Sequence, residues 1–247
     1  MERLSPYVRS LNDLRKAMRR LRSKALDEAV ESSWRADDEM DGVRSILTVC
    51  GISAERPGDS VTGALGNPDY FAPLLEALPH LKLDEGWRLD AVYSGTRTGG
   101  KLVFFATDGL KREDFVRHVG LDRSAESVWE LRLLLYCVKV FYLIWHAMYE
   151  DMCIVTSLRR TDRNAIRIRG DKDYDLKRIA PEDCRRLETW DMAPSVEVDG
   201  DVATVRYCTF SMFGGFLKIR EKVRVRPYEI IKGEVEERVP YDCGIRL

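Results

Sequence analysis

The N-terminal stretch carries a narrow apolar stripe that predicts one long helix over about 5–33. Ser5 suits the N-cap and Pro6 suits the first helical position. The stripe repeats at heptad spacing and consists of Leu4, Leu11, Leu14, Met18, Leu21 and Ala25. It is too short to specify a coiled coil. We therefore expect the stripe to dock on the body of this chain, and docking on a partner helix is the alternative.

The segment 51–68 is rich in Gly, Pro and Ser, which is typical of a loop or linker. One helix is predicted before it, over 38–50, and a short helix after it, over 69–78. We expect the chain to divide here into a helical N-terminal segment, 1–55, and an α+β body, 69–247. The alternative is a single domain on which the N-terminal helices are docked.

The spacing of apolar residues changes to a period of two after Trp87, which predicts strands. Two such strands flank a Gly-rich turn, so a hairpin is expected over about 87–106. A long run of apolar residues follows Ser124 and covers most helix faces. This run predicts a central core helix over about 125–150 with Ser124 at its start. Pro181 suits the first position of a short helix that ends at Glu188.

The C-terminal region has the clearest alternation of apolar and polar residues in the chain. It predicts four strands, at 195–198, 202–211, 216–226 and 229–239. Asp199-Gly200 predicts a tight two-residue hairpin turn. Consecutive strands joined by short turns predict an antiparallel β-meander. Because helices dominate the first half, with a long central helix packed across this meander, the order of elements predicts an α+β fold.

The composition limits the classes of function. The 247 residues contain 40 Lys and Arg against 41 Asp and Glu, which gives a net charge of −1. This balance argues against a globally basic nucleic-acid binder and against an acidic tail. The six cysteines form no CxxC motif, and the N-terminal residues lack the apolar stretch of a secretory signal. We therefore expect reduced thiols in the core of a cytoplasmic protein.

The apolar run 133–149 is long enough to raise the question of a membrane span. It contains Lys139 and His146, and a charged side chain at the centre of a bilayer costs at least about 2.5 kcal/mol. A buried helix is therefore favoured, and no membrane association is expected.

Two short motifs resemble ligand-binding loops but lack the residues that the chemistry needs. The segment 95–101 matches GxxxxGK, but Leu102 replaces the magnesium-binding hydroxyl, and a strand follows where a helix should begin. The segment 171–182 has the spacing of a calcium loop, but Leu176 occupies the position that requires Gly. The GxSxG and HExxH motifs are absent. We therefore predict neither a metal nor a cofactor.

The polar residues of the predicted central helix fall on a single stripe, which is the first candidate ligand-binding site. They recur at helical spacing and are Arg132, Tyr136, Lys139, His146 and Glu150. If the stripe faces a cavity, Lys139 and His146 are suited to bind an anionic ligand or to transfer protons. The alternative is that this side of the helix faces solvent.

The strand predicted at 216–226 provides a candidate nucleic-acid-binding surface. Its cations share one side because side chains alternate along a strand, and they are Lys218, Arg220, Lys222, Arg224 and Arg226. A ridge of cations can follow a phosphate backbone. The alternative is ion pairing with glutamates of the next strand, which are Glu229, Glu234, Glu236 and Glu237.

Three functions remain open from the sequence. The first is a non-enzymatic interaction or regulatory protein that binds a protein partner through the N-terminal helix, because the chain lacks the common catalytic motifs. The second is a small-molecule-binding protein or enzyme with a cleft at the polar stripe. The third is a nucleic-acid binder that uses the basic strand, which the ion-paired alternative makes less favoured. The sequence leaves open the partner, the oligomeric state and whether the protein is an enzyme.

Overall fold

The computed structural model describes residues 5–33, 71–96, 99–107, 115–140, 142–145, 152–162, 165–169, 172–175 and 178–244. The chain divides into two compact units, Met1–Ala147 and Met148–Leu247, and each is described by itself. The helix predicted over 38–50 and the loop predicted over 51–68 lie outside the described residues. The division into 1–55 and 69–247 therefore stays a prediction.

The first unit combines helices with short antiparallel sheets. Its described helices are α1 (Pro6–Ser33), α2 (Ala72–Glu76) and α3 (Ala125–Val140). Strand β1 (Leu81–Leu83) pairs with β4 (Val119–Leu121). A second sheet has the order β2-β3-β5, formed by Arg88–Thr96, Gly99–Thr107 and Tyr142–Trp145. The hairpin predicted over 87–106 is thus confirmed, because β2 and β3 pair antiparallel along their whole length.

Helix α1 docks on α3 through the stripe that the heptad spacing predicts. The stripe residues Leu11, Leu14, Met18 and Leu21 are buried, and Ala17 is buried beside them. The indole Nε1 of Trp129 donates a hydrogen bond to the carbonyl oxygen of Tyr7 over 2.9 Å, and the two rings meet edge to face. Burial of each leucine is worth about 1.5–3 kcal/mol. The described side chains of the stripe therefore contribute to the interior of the first unit.

The central helix is shorter than the sequence predicts. It begins as expected, because the Ser124 hydroxyl accepts a hydrogen bond from the Ser127 amide over 3.0 Å. It ends at Val140, however, and β5 follows at Tyr142–Trp145 and pairs with β3. Aromatic and β-branched residues crowd this part of the run, and such residues favour strands. The prediction of one helix through residue 150 is therefore wrong beyond Val140. Within its unit, α3 packs against α1, β1 and β3.

The second unit contains the predicted β-meander. Its strands are β10 (Ser195–Asp199), β11 (Val202–Ser211), β12 (Gly215–Val225) and β13 (Tyr228–Val239), antiparallel in that order. Strand β6 (Cys153–Val155) pairs with the second half of β11 and so extends this sheet. A separate three-stranded sheet consists of β7 (Arg159–Asp162), β8 (Ala165–Arg169) and β9 (Lys172–Asp175). The α+β class with a C-terminal antiparallel meander is thus confirmed.

A short helix, α4 (Pro181–Glu188), lies against one end of the meander and begins and ends where the sequence predicts. The core between them contains Cys153, Val155, Ile179, Leu187, Trp190, Met192, Cys208, Phe210, Phe216, Val239 and Tyr241. Phe210 contacts Phe216 and Tyr241, with ring centroids 4.6 Å and 5.3 Å apart. This core holds α4 and the segment that follows it in fixed positions, which is what forms the pocket described below.

In the part of the chain that the structure describes, no helix combines the length and the apolar character needed to cross a bilayer.

Candidate functional site

A pocket of about 440 Å³ opens in the second unit beside helix α4. Three segments form its wall: the residues after β6, the last turns of α4, and the segment that leads into β10. The apolar part of the wall consists of Leu158, Leu187, Trp190, Met192 and Ala193. Leu187, Trp190 and Met192 also belong to the buried core, so the floor of the pocket is continuous with the packed interior of the unit.

The polar part of the pocket wall is acidic and hydroxylic. Glu188 and Asp191 carry exposed carboxylates, and Thr156 and Ser157 provide hydroxyl groups. Among the described residues that line the pocket there is no Lys, Arg or His. The rim of the pocket therefore has a negative charge at neutral pH.

The end of helix α4 places the two acidic residues close together in the sequence, one on each side of Trp190, and a local turn orients one of them. The amide of Trp190 donates a hydrogen bond to the Leu187 carbonyl oxygen over 3.2 Å, which tightens the last turn. The amide of Ala193 donates to Asp191 Oδ1 over 3.0 Å, and this local turn orients the Asp191 side chain. Glu188 is the last residue of the helix and Asp191 follows three residues later.

A chain of polar contacts orients the indole of Trp190. Its Nε1 donates a hydrogen bond to Glu237 Oε2 over 2.9 Å. The other oxygen of Glu237 accepts a hydrogen bond from Lys218 Nζ over 3.1 Å. Lys218, the first cation of the predicted basic ridge, thus helps to hold an aromatic wall of the pocket through Glu237.

The thiols near the pocket have different exposures. Cys184 is half-buried and lines the pocket, whereas Cys208 lies in the core below it. Burial raises the pKa of the Cys208 thiol to about 12, so Cys208 stays protonated and unreactive at neutral pH. The five described cysteines are free thiols, which are Cys137, Cys153, Cys184, Cys208 and Cys243.

The predicted polar stripe does not lie along one helix. Arg132 and Tyr136 are on α3 and both are buried, so this part of the helix does not face open solvent. The backbone of Lys139 also belongs to α3, but its side chain is outside the described residues, as are His146 and Glu150. Because β5 follows α3, the helical spacing that aligned the five residues ends at Val140. Ligand binding by these residues stays a prediction.

The predicted basic ridge lies on β12 and faces glutamates of β13. Three of its cations each form an ion pair with the glutamate directly opposite on β13. The pairs are Lys218–Glu237 at 3.1 Å, Arg220–Glu234 at 3.4 Å and Arg224–Glu229. Lys222 lies opposite Lys232, and Arg226 is exposed at the turn after β12. The cross-strand pairing that the sequence favoured is therefore confirmed for three of the five cations.

The structure also contains a buried carboxylate that the sequence analysis did not single out. Glu130 on α3 is 0 % exposed and accepts hydrogen bonds from the Ser10 hydroxyl over 3.0 Å and from the His80 amide over 2.7 Å. Burial raises the pKa of the Glu130 carboxyl. Glu130 thereby joins α1, α3 and the residues before β1.

The ring of His80 pairs with a second carboxylate at the surface of this cluster. Its Nδ1 lies 3.0 Å from Asp122 Oδ2, and this hydrogen bond raises the pKa of His80. Burial opposes ionisation of Asp122, but hydrogen bonds donated by Ser124 outweigh it and lower the pKa of Asp122. Both side chains are about half exposed, so the pair contributes little to stability.

The lining of the pocket comes from segments that carry no recognisable motif. The helix that the sequence predicts up to Glu188 was the one feature near the pocket that the sequence analysis identified. A Trp with acidic residues close to it after a helix does not by itself indicate a pocket. Among the described residues, no group of three or more His, Cys, Asp or Glu side chains is placed to hold a metal ion. Comparison of the chain with protein-family models, curated proteins and solved structures gives no match.

Proposed function

We propose that the unit Met148–Leu247 binds a small organic molecule in the pocket beside helix α4. The observation that carries this proposal is a pocket of about 440 Å³ with an apolar floor and a few polar groups at its rim. Ligand sites in proteins are commonly about 300–1,000 Å³ and have this division between apolar walls and a few polar groups. The proposal differs from the sequence-based one in its location, because none of the five stripe residues lines this pocket and four of them belong to the other unit.

The rigidity of the wall supports the proposal. Leu187, Trp190 and Met192 are held by the buried core, and Trp190 is also held through its hydrogen bond to Glu237. A wall that is already ordered before binding loses little conformational entropy when a ligand enters. A ligand with an apolar body therefore gains most of the free energy available from burying its surface.

The test uses Nile red, a neutral apolar dye, and two tryptophan substitutions in the full-length protein. Ala193→Trp fills the rim of the pocket, whereas Ala180→Trp places the same side chain at an exposed position before α4 that does not line the pocket. We expect saturable binding of the dye that weakens at least about tenfold in Ala193→Trp, because an indole occupies much of the space. Ala180→Trp should bind as the wild type does. Equal binding by both variants, or no saturable binding at all, would contradict the proposal.

The interaction function that the sequence placed first also remains a proposal, with a different contact surface. The stripe residues Leu11, Leu14, Met18 and Leu21 are buried within the unit, so these side chains are not available to a partner. The outer strand β13, in contrast, exposes the apolar side chains of Ile230, Ile231 and Val235. Outer strands with exposed apolar residues are templates for pairing with another strand.

We propose a second copy of this chain as the occupant of β13. If two copies of β13 pair antiparallel about Gly233, Ile231 of each copy lies opposite Val235 of the other, and Lys232 lies opposite Glu234. Apolar side chains then face apolar side chains, and opposite charges face each other. The double substitution Ile231→Lys with Val235→Lys should then abolish a dimer seen by analytical ultracentrifugation. Val198→Lys, at another exposed apolar position on β10, is the control and should leave it intact. A monomeric wild type would rule out this pairing.

A further inference from the structure

We infer that the molecule taken by the pocket carries a positively charged nitrogen. This inference rests on the proposed function and adds the chemical class of the ligand. Two carboxylates, Glu188 and Asp191, line the pocket, and both are exposed at its rim. No cationic side chain is among the described residues of the wall. A pocket with this charge attracts a cationic ligand and repels an anionic one.

The backbone adds to the negative potential of the rim. Leu187 and Glu188 are the last two residues of α4, and the carbonyl end of a helix carries a partial negative charge. Arg185 and Arg186 lie in the same last turn, but neither lines the pocket. Arg186 is engaged by Asp183 at 2.9 Å and by the carbonyl oxygen of Arg238. Arg186 is thus paired with acceptors that do not line the pocket.

Trp190 contributes an aromatic surface rather than a hydrogen-bond donor. Its only polar group, the indole N–H, donates to Glu237, which is held in turn by Lys218. With that N–H engaged, the part of the indole that is left to contact a ligand is its carbon framework, and the π face of Trp attracts organic cations better than that of other aromatic residues. The hydroxyl oxygens of Thr156 and Ser157 can accept hydrogen bonds from an ammonium group. Each polar feature of the wall thus favours an ammonium or a related organic cation.

The experiment measures how well three compounds of similar shape displace Nile red from the full-length protein. The compounds are 2-phenylethylammonium, the neutral 2-phenylethanol and the anionic phenylacetate. We expect the cation to displace the dye at a concentration about tenfold below that of the alcohol, with the anion weakest. The advantage of the cation should shrink as salt is added, because the carboxylates are exposed.

Matched substitutions assign the effect to the two carboxylates. Glu188→Gln combined with Asp191→Asn keeps the shapes of both side chains, and the amide oxygen introduced by Asp191→Asn can still accept the hydrogen bond from the backbone N–H of Ala193. In this variant the cation should lose its advantage while displacement by the alcohol is unchanged. Glu182→Gln, an exposed acid of the same helix outside the pocket wall, should behave as the wild type does.

The outcomes separate this inference from the pocket proposal. Equal displacement by cation and alcohol in the wild type would overturn the cationic ligand while leaving the pocket proposal standing. Absence of saturable dye binding would overturn both.

Discussion

Glu130 shows how one buried side chain can hold together segments that are distant in the sequence. Its two oxygens accept hydrogen bonds from Ser10 and from the amide of His80, which are 120 and 50 residues away. A buried acceptor that loses its partners, or a buried donor that loses its acceptor, costs about 1–3 kcal/mol. The carboxylate therefore acts as a structural link between α1, α3 and the residues before β1.

We expect Glu130→Ala to lower the free energy of unfolding by about 2–3 kcal/mol, because the Ser10 hydroxyl and the His80 amide lose their acceptor. Glu130→Gln should cost less than about 1 kcal/mol, since its amide oxygen can accept from His80 and its amide nitrogen can donate to Ser10. Urea denaturation of both variants measures the difference. Equal losses of unfolding free energy in the two variants would show that these hydrogen bonds do not account for the stabilisation by Glu130.

The raised pKa of Glu130 also predicts a pH dependence. The folded protein holds the proton of Glu130 at pH values where the unfolded chain has released it. Stability should therefore fall as the pH rises from the ordinary value of 4.5 through the raised folded pKa. Glu130→Gln removes this titration, so its stability should fall less than that of the wild type across the same range. Parallel pH profiles for the two proteins would contradict the prediction.

Gly215 and Gly200 provide a matched pair for separating backbone conformation from steric clash. Both have a left-handed φ, +71° and +60°, which favours glycine. A Cβ on Gly215 would clash with the Val239 carbonyl oxygen, whereas a Cβ on Gly200 meets nothing within 4 Å. We expect Gly200→Ala to cost about 1 kcal/mol and Gly215→Ala about 3 kcal/mol or more. Thermal unfolding of the two variants tests this, and equal costs would contradict it.

At the scale of elements, β12 and β13 form a charged face in which cations and glutamates alternate across the strand pair. Opposite charges that face each other across two strands stabilise the pairing of those strands modestly. The pairing also competes with any use of the ridge for binding phosphate, because Lys218, Arg220 and Arg224 already have carboxylate partners. The nucleic-acid function remains a proposal, and the charge variants described next can test it.

We expect Arg224→Glu to destabilise the protein by up to about 1 kcal/mol, because it places a glutamate opposite Glu229. The double substitution Arg224→Glu with Glu229→Arg should recover most of the loss, since opposite charges face each other again. Unfolding at low and high salt measures the coupling, which should weaken as salt is added. If the double variant is no more stable than Arg224→Glu, the pair does not act across the strands.

The same variants decide whether the ridge binds nucleic acid. Binding to a single-stranded oligonucleotide that decreases steeply with salt and with Arg224→Glu would support the ridge as a binding surface. A flat response to salt would reject it. The stability of Arg224→Glu, measured as above, separates a loss of binding from a loss of folding.

At the scale of the whole molecule, the chain consists of two units with separate elements, so we expect the stability of each unit to respond separately to mutation.

Leu14 on α1 is fully buried in the first unit. Leu14→Ala should cost about 2–5 kcal/mol there, because it leaves a cavity in the packed interior. Hydrogen exchange measured by mass spectrometry should show lost protection in peptides from Met1–Ala147 and retained protection in peptides from Met148–Leu247. Arg9→Ala, an exposed position on the same helix, is the control. Equal loss of protection in both units would show that they unfold together.

Local patterns determined the parts of this protein that depend on near neighbours in the sequence. Alternation and turn residues predicted all four strands of the meander, because a strand side chain faces the same way every second residue. The N-cap at Ser124 and the buried stripe of α1 were predicted for similar reasons, since caps and helix faces involve residues three or four apart.

Tertiary structure decided the features that join distant segments. The polar residues after Ser124 keep a helical spacing as far as residue 150, yet α3 ends at Val140, where the next strand, β5, pairs with the distant strand β3. Glu130 finds partners far along the chain, and the pocket wall collects residues from three segments. Such contacts depend on how packed elements meet in space. The spacing of residues in the sequence does not determine how those elements pack. The candidate site could therefore be identified only from the tertiary structure.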